Sequence, residues 1–115
     1  MKIKSDFVTN SSSTAFIITN TSNEKKTLMD FVIENPQLLD QYIQEYSYGG
    51  DPRFTPLNLL ESAANDFDED FEPGEAKRCV FGDEQGTIVG QVFDYILRDG
   101  GSSKSFRWRF SEYLR

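Results

Sequence analysis

Asp66, Asp68 and Asp70 fall at the first, third and fifth positions of a calcium-loop spacing, the densest group here that could hold a cation. The pattern breaks where coordination depends on it. The sixth position, which must turn sharply and calls for Gly, is Phe71, and the twelfth, which should supply a bidentate Glu, is Lys77. No metal site is expected. What remains is charge: Glu61, Asp66, Asp68, Glu69, Asp70, Glu72 and Glu75 follow one another without a basic residue between them. Like charges a few ångströms apart repel by about 1 kcal/mol in water and by far more when buried. The segment must therefore stay wet or meet cations, and Asp66, Asp68, Glu69, Asp70 and Glu72 are the residues expected to touch a basic partner.

Other chemistry is thin. Histidine is absent, which removes a self-contained Ser-His-Asp or Cys-His nucleophile and any His-dependent zinc site. Cys79 is the sole cysteine, and between Arg78 and Val80-Phe81 it reads as a small buried hydrophobe rather than a reactive thiol. Gly82, Gly86 and Gly90 recur every four residues, but a phosphate loop would need Gly-Lys-Ser/Thr, and Asp83 and Glu84 would repel phosphate. That stretch is read as a turn. A Glu84–Glu112 carboxylate pair is the one acid–base arrangement available, and nothing in the spacing brings the two together. No catalytic residue and no cofactor is expected.

Basic residues gather at the end of the chain, where Arg98, Lys104, Arg107, Arg109 and Arg115 face only Asp99 and Glu112. Arginines interleaved with aromatic residues can bind single-stranded nucleic acid. Period-two geometry argues against it, because Phe106, Trp108 and Phe110 then share one side of a strand and Ser105, Arg107 and Arg109 the other. The expectation is rings packed inward and arginines solvated.

The elements that position these groups follow from local signals. Thr14–Thr19 is expected to be a strand, and the unbroken Phe16-Ile17-Ile18 suggests burial on both faces of a central strand. Thr21 followed by Glu24 forms a capping-box pattern opening a helix near 23–34, with Leu28, Phe31 and Val32 on one side. Asn35-Pro36 starts a second near 36–47, striped by Leu38, Leu39, Tyr42, Ile43 and Tyr46. Thr55-Pro56 starts a third near 56–67, carrying Leu59, Leu60, Ala63, Ala64 and Phe67. Lys77–Phe81 reads as a strand. Ile88, Val89, Val92, Phe93, Ile96 and Leu97 fit a helix near 88–98 better than a continued hairpin. Lys104–Phe110 is the last strand. The result is an α+β domain of about three strands and four helices, with 88–98 able to connect parallel strands.

The segment KIKSDFVTNSSSTAFI resembles a leader found at the start of small uncharacterised proteins of bacteria, archaea and their phages. The resemblance rests on Lys2, Lys4, Phe7, Val8, Thr9, Asn10, Ser11, Ser12, Ser13 and Phe16, and departs at Thr14-Ala15, where further serines are usual. It implies a bacterial or phage setting and no activity. Ser11, Ser12 and Ser13 are candidate modification sites, a phosphate on each adding about −1.5 to −2 charge; their plainer reading is a turn feeding the strand.

A single 115-residue chain fits one domain. Its net charge of −7 disfavours nucleic acid and anionic membrane as partners. One cysteine, no export signal and no membrane-length apolar run give the expectation of a cytoplasmic protein. On the same ground the Asn-x-Ser matches at Asn10 and Asn20 are read as chance. The composite expectation is a non-enzymatic protein that binds a protein partner through its acidic segment, in its sharper form a phage or mobile-element inhibitor imitating nucleic-acid charge. A carboxylate-based enzyme and a nucleic-acid binder acting through Arg107 and Arg109 are the alternatives.

Overall fold

The computed structural model describes residues 13–46, 52–67, 70–82 and 87–114. The expectations for residues 1–6, Ser11, Ser12, Asp68, Glu69 and the turn at 83–86 lie outside these residues. In chain order the elements are β1 (Ser13–Asn20), β2 (Lys26–Thr27), α1 (Leu28–Glu34), α2 (Gln37–Tyr46), α3 (Pro56–Asp66), β3 (Asp70–Phe71), β4 (Ala76–Gly82), α4 (Ile88–Ile96), a 3-10 turn (Leu97–Asp99), β5 (Gly101–Ser102) and β6 (Phe106–Leu114). The α+β class and the four helices match the sequence reading. The sheet is larger than expected: four strands in the order β4-β1-β6-β5, with β2 and β3 forming a separate pair.

β1 is central, as its apolar run suggested, and pairs antiparallel with β4 on one side and β6 on the other. The parallel pairing that α4 would have permitted does not form. β4 and β6 run in the same direction, but β1 lies between them, so the helix connects across an intervening antiparallel strand. β1 is not buried on both faces throughout. Phe16 and Ile18 point into the core, whereas Ile17 and Thr19 are half-buried on the opposite side. The β1–β6 register shifts between Ala15 and Phe16, so Ser111 is the extra residue of a bulge. This explains why Phe110 is only half-buried while Phe106 and Trp108 are buried. Ser105 precedes the strand and is buried, so it does not share the exposed side of Arg107 and Arg109.

The first helix begins later than Thr21 and Glu24 indicated. Its capping box is Thr27 with Asp30: the Thr27 hydroxyl accepts from the Asp30 N–H, and the Asp30 carboxylate accepts from the Thr27 N–H. Residues 21–25 are instead held as a turn by Asn20, whose side chain is fully buried. Its amide donates to the carbonyls of Glu24 (2.7 Å) and Phe71 (2.9 Å), and its Oδ1 accepts from the Ser22 N–H and hydroxyl. All four hydrogen-bonding capacities are thus used, and no amide hydrogen is left for a glycan. α3 starts as expected, with the Thr55 hydroxyl accepting from Asn58 N–H and Pro56 in the first turn. α4 is capped by Thr87, whose hydroxyl accepts from the Gly90 N–H.

The helices cover one side of the sheet, and their junction is aromatic. Phe31 of α1 meets Phe93, Phe106 and Trp108 edge-on, at centroid distances of 5.4, 5.2 and 5.1 Å. Edge-to-face pairs of this kind contribute about 0.5–1.5 kcal/mol each beyond the area they bury. Trp108, 6% exposed, also lies against Gly101 of β5: a Cβ on that glycine would sit 2.6 Å from Trp108 Cζ2. The edge strand can approach because it has no side chain there.

A second polar joint closes the other end of the helical layer. Glu34 at the end of α1 accepts from the Ser103 hydroxyl and the Ser105 N–H, both at 2.5 Å, and so fixes the turn between β5 and β6. Burial by itself would push the Glu34 carboxyl up, but the Ser103 and Ser105 hydrogen bonds, helped by Lys26, outweigh it and hold the group below its ordinary value.

Two outcomes follow. Trp108→Ala removes the indole from Phe31 and Gly101 and should cost roughly 3–5 kcal/mol in urea unfolding; a loss under about 1 kcal/mol, the scale of an exposed position, would contradict the burial described. Glu34 has a lowered folded pKa, so its stabilisation is complete above the unfolded carboxylate value and is lost as pH falls through the folded one. Unfolding free energies measured from about pH 6 to pH 3 should therefore fall less steeply in Glu34→Gln than in the parent chain.

Candidate functional site

The acidic residues singled out by sequence are not a uniform solvated loop. Asp66 ends α3 and accepts from the Ser62 hydroxyl at 2.8 Å. Asp70 belongs to β3, paired with β2, and the Phe71 ring beside it is fully buried. Phe71 is what the sequence reading missed: an apolar residue within an acidic run is the signal that the run is anchored. Lys25 lies 3.2 Å from Asp70 and 3.8 Å from Glu72, and these two carboxylates hold its ammonium above the ordinary lysine value. Asp70 and Glu72 are thus partly neutralised within the chain, although all three side chains remain more than half exposed.

Acidity extends further than that segment. α1, α2 and α3 contain Asp30, Glu34, Asp40, Glu45, Glu61 and Asp66 and no lysine or arginine. Between these helices runs an apolar groove of about 220 Å³, lined by Val32 and Ile33 of α1, Pro36, Leu39 of α2, and Pro56, Leu59 and Leu60 at the start of α3. Ile33 is 62% exposed, and Leu57, beside the lining residue Pro56, is 63% exposed. Both lie off the stripes that carry the core, Leu28, Phe31 and Val32 on α1 and Leu59 and Ala63 on α3.

The opposite side of the sheet is basic. The register places Ser102, Arg107, Thr19 and Ala76 in one cross-strand row and Arg109, Ile17 and Arg78 in the next. Arg78 reaches Glu112 at 3.0 Å across β1. Arg107 and Arg109 are exposed and have no hydrogen-bond or ion-pair partner among the described residues. The inward rings and outward arginines agree with the alternation read from β6.

Arg98 does not belong with them. It turns inward: its Nε donates to the Asp94 carbonyl at 2.7 Å, and Nη2 lies 3.3 Å from Asp94 Oδ1. Asp94 is wholly buried and also accepts from the Thr14 hydroxyl at 2.5 Å. The Arg98 guanidinium stands 4.7 Å from the Tyr95 ring centroid and 5.1 Å from that of Tyr113. A paired, hydrogen-bonded carboxylate with an arginine clamped between rings is a structural joint between α4, β1 and β6. The i, i+4 spacing of Asp94 and Arg98 was its sequence signal.

Among the described residues no cluster of three or more His, Cys, Asp or Glu could hold a metal ion, and no helix is long and apolar enough to cross a membrane. Cys79 is buried. Glu112 is engaged with Arg78, and its suggested partner Glu84 lies outside the described residues. Ser13 is the first residue of β1 and half-buried. Compared with protein-family models, with curated proteins and with solved structures, the chain matches none.

The two kinds of arginine should behave differently. Arg98→Ala leaves a buried carboxylate short of its cation and should cost about 3 kcal/mol. Arg107→Ala and Arg109→Ala should each stay within about 0.5 kcal/mol of the parent, as exposed positions do. Urea denaturation of the three variants compares them directly, and a large loss at Arg107 or Arg109 would contradict the open face described here.

Proposed function

We propose that this chain is a non-enzymatic interaction protein that docks on a protein partner through its acidic helical side, the partner supplying a basic amphipathic helix. The observation that carries this reading is the apolar groove between α1, α2 and α3, with Ile33 and Leu57 left in water beside it and no cation on any of the three helices. A helix laid in such a groove buries its apolar stripe and sets its lysines and arginines against Asp40, Glu45 and Glu61. Complementary charge of this kind speeds encounter and fixes orientation more than it adds raw affinity.

The reading moves the docking surface from the acidic segment alone to the helices above it. Asp66, at the end of α3, is common to both. Asp70 and Glu72 share Lys25, which weakens their claim on an external cation. A cytoplasmic setting, and the role of a phage or mobile-element inhibitor that imitates nucleic-acid charge against a basic host protein, fit the net charge of −7 and belong to the same proposal.

The test is affinity capture from a bacterial lysate at low and at moderate salt, with the parent chain beside an Ile33→Asp/Leu57→Asp variant. Both substitutions fall on exposed positions and should leave the melting temperature nearly unchanged. The parent should retain a basic protein that the variant loses by about tenfold or more, the scale of a 1.4 kcal/mol change. No captured partner at either salt, or equal capture by both chains, rejects the reading.

A further inference from the structure

On the far side of the sheet, independent of the helical groove, we infer a binding site for a small organic phosphate. The residues of the two cross-strand rows described above, all but Arg78, line an open groove of about 500 Å³ together with Gly101 and Trp108, a volume within the range of small-molecule sites. Arg107 and Arg109 stand on it, two residues apart on β6 and on the same side of the strand. Alternate residues of a strand lie about 7 Å apart, a span that two long guanidinium side chains close readily around a diphosphate.

Three observations select this ligand chemistry. The first is that both guanidinium groups lack any partner among the described residues, whereas Arg78 has Glu112 and Arg98 has Asp94. A planar fork of donors that has no internal acceptor is suited to bidentate contact with an oxyanion. The second is the placement of hydroxyls: Ser102 and Thr19 are the register partners of Arg107 on either side, so two neutral donors flank one cation in a single row. The third is the floor, where Ile17 and Ala76 offer apolar contact beside the charges and suit a phosphate carried on an organic body.

A nucleic-acid strand fits less well. Sequence-tolerant strand binding depends on rings that stack the bases, and the ring that lines this groove, Trp108, is only 6% exposed and is packed edge-on with Phe31 in the core. Phe16, Phe81 and Phe106 are committed to the core on the sheet's other side.

Titration calorimetry of the full chain with pyrophosphate and with ADP tests the site. Saturable binding of either is expected, weakened about tenfold or more in Arg107→Gln/Arg109→Gln with an unchanged melting temperature. Lys104→Gln, altering an exposed cation in the preceding turn, should bind as the parent does. The inference is overturned if neither ligand binds, or if the double variant binds equally well. Equal weakening in Lys104→Gln would overturn it too, by assigning the effect to diffuse charge. So would a short oligothymidylate that binds while pyrophosphate and ADP do not.

Discussion

The helical layer meets one face of a four-stranded sheet through α1 and α4, with α2 and α3 packed on those helices, and this one-sidedness is the constraint from which the rest follows. A strand alternates its side chains between two environments. With only one of them covered, β1, β4 and β6 must send apolar residues to the helices and water-compatible residues to the other side. Phe16, Ile18, Cys79, Phe81, Phe106 and Trp108 take the covered face, and Thr19, Arg78, Arg107 and Arg109 the open one. Slipping β6 by a single residue would exchange the rings for the arginines. The segregation of charge on this molecule is therefore a consequence of how its core closes.

A core this rich in rings still has to join irregular segments, and hydrogen-bonded polar groups, buried at Asn20 and Asp94 and half-buried at Glu34, do that. Asn20 holds the turn after β1 to β3, Glu34 holds α1 to the β5–β6 turn, and Asp94 holds α4 to β1. Asn20 and Asp94 would be costly if left unsatisfied, and all three have their partners. Their directionality supplies what edge-to-face rings cannot: a ring cluster tolerates sliding, whereas a hydrogen bond at 2.5–2.9 Å fixes which turn meets which helix.

The legible parts of the fold were those where one local signal dominated. The alternation in Phe106–Phe110, the Thr55-Pro56 start of α3 and the apolar stripe of α4 depend on neighbours in sequence, and they stand nearly where they were read. The start of α1 was misplaced because Thr21/Glu24 and Thr27/Asp30 both fit a capping pattern, and the choice is made at long range, by Asn20 reaching Phe71. β2, β3 and β5 are two residues each, too short for any period to register. Strand order was illegible for the same reason: whether α4 joins neighbours or spans an intervening strand depends on where β1 has already paired. Of the candidate site, the acidic character was visible, but not that Lys25 answers Asp70 and Glu72, nor that Ile33 and Leu57 stay outside.

Acidity alone says little about function, since a chain of net charge −7 can simply be soluble. What gives the charge meaning is its arrangement around surface that folding leaves unused. On the helical side, apolar residues remain exposed where three helices offer no cation; on the sheet side, two arginines have no partner among the described residues, whereas the fold has already found anions for Arg78 and Arg98. Neither feature contributes much to stability, because exposed leucines and solvated guanidinium groups add almost nothing to a folded core. Residues that the fold does not need, gathered where geometry can present them together, are the places at which selection for binding leaves its mark. The two faces differ in the sign of their charge and share no residues, so the protein partner and the small anion proposed for them would be bound without competition.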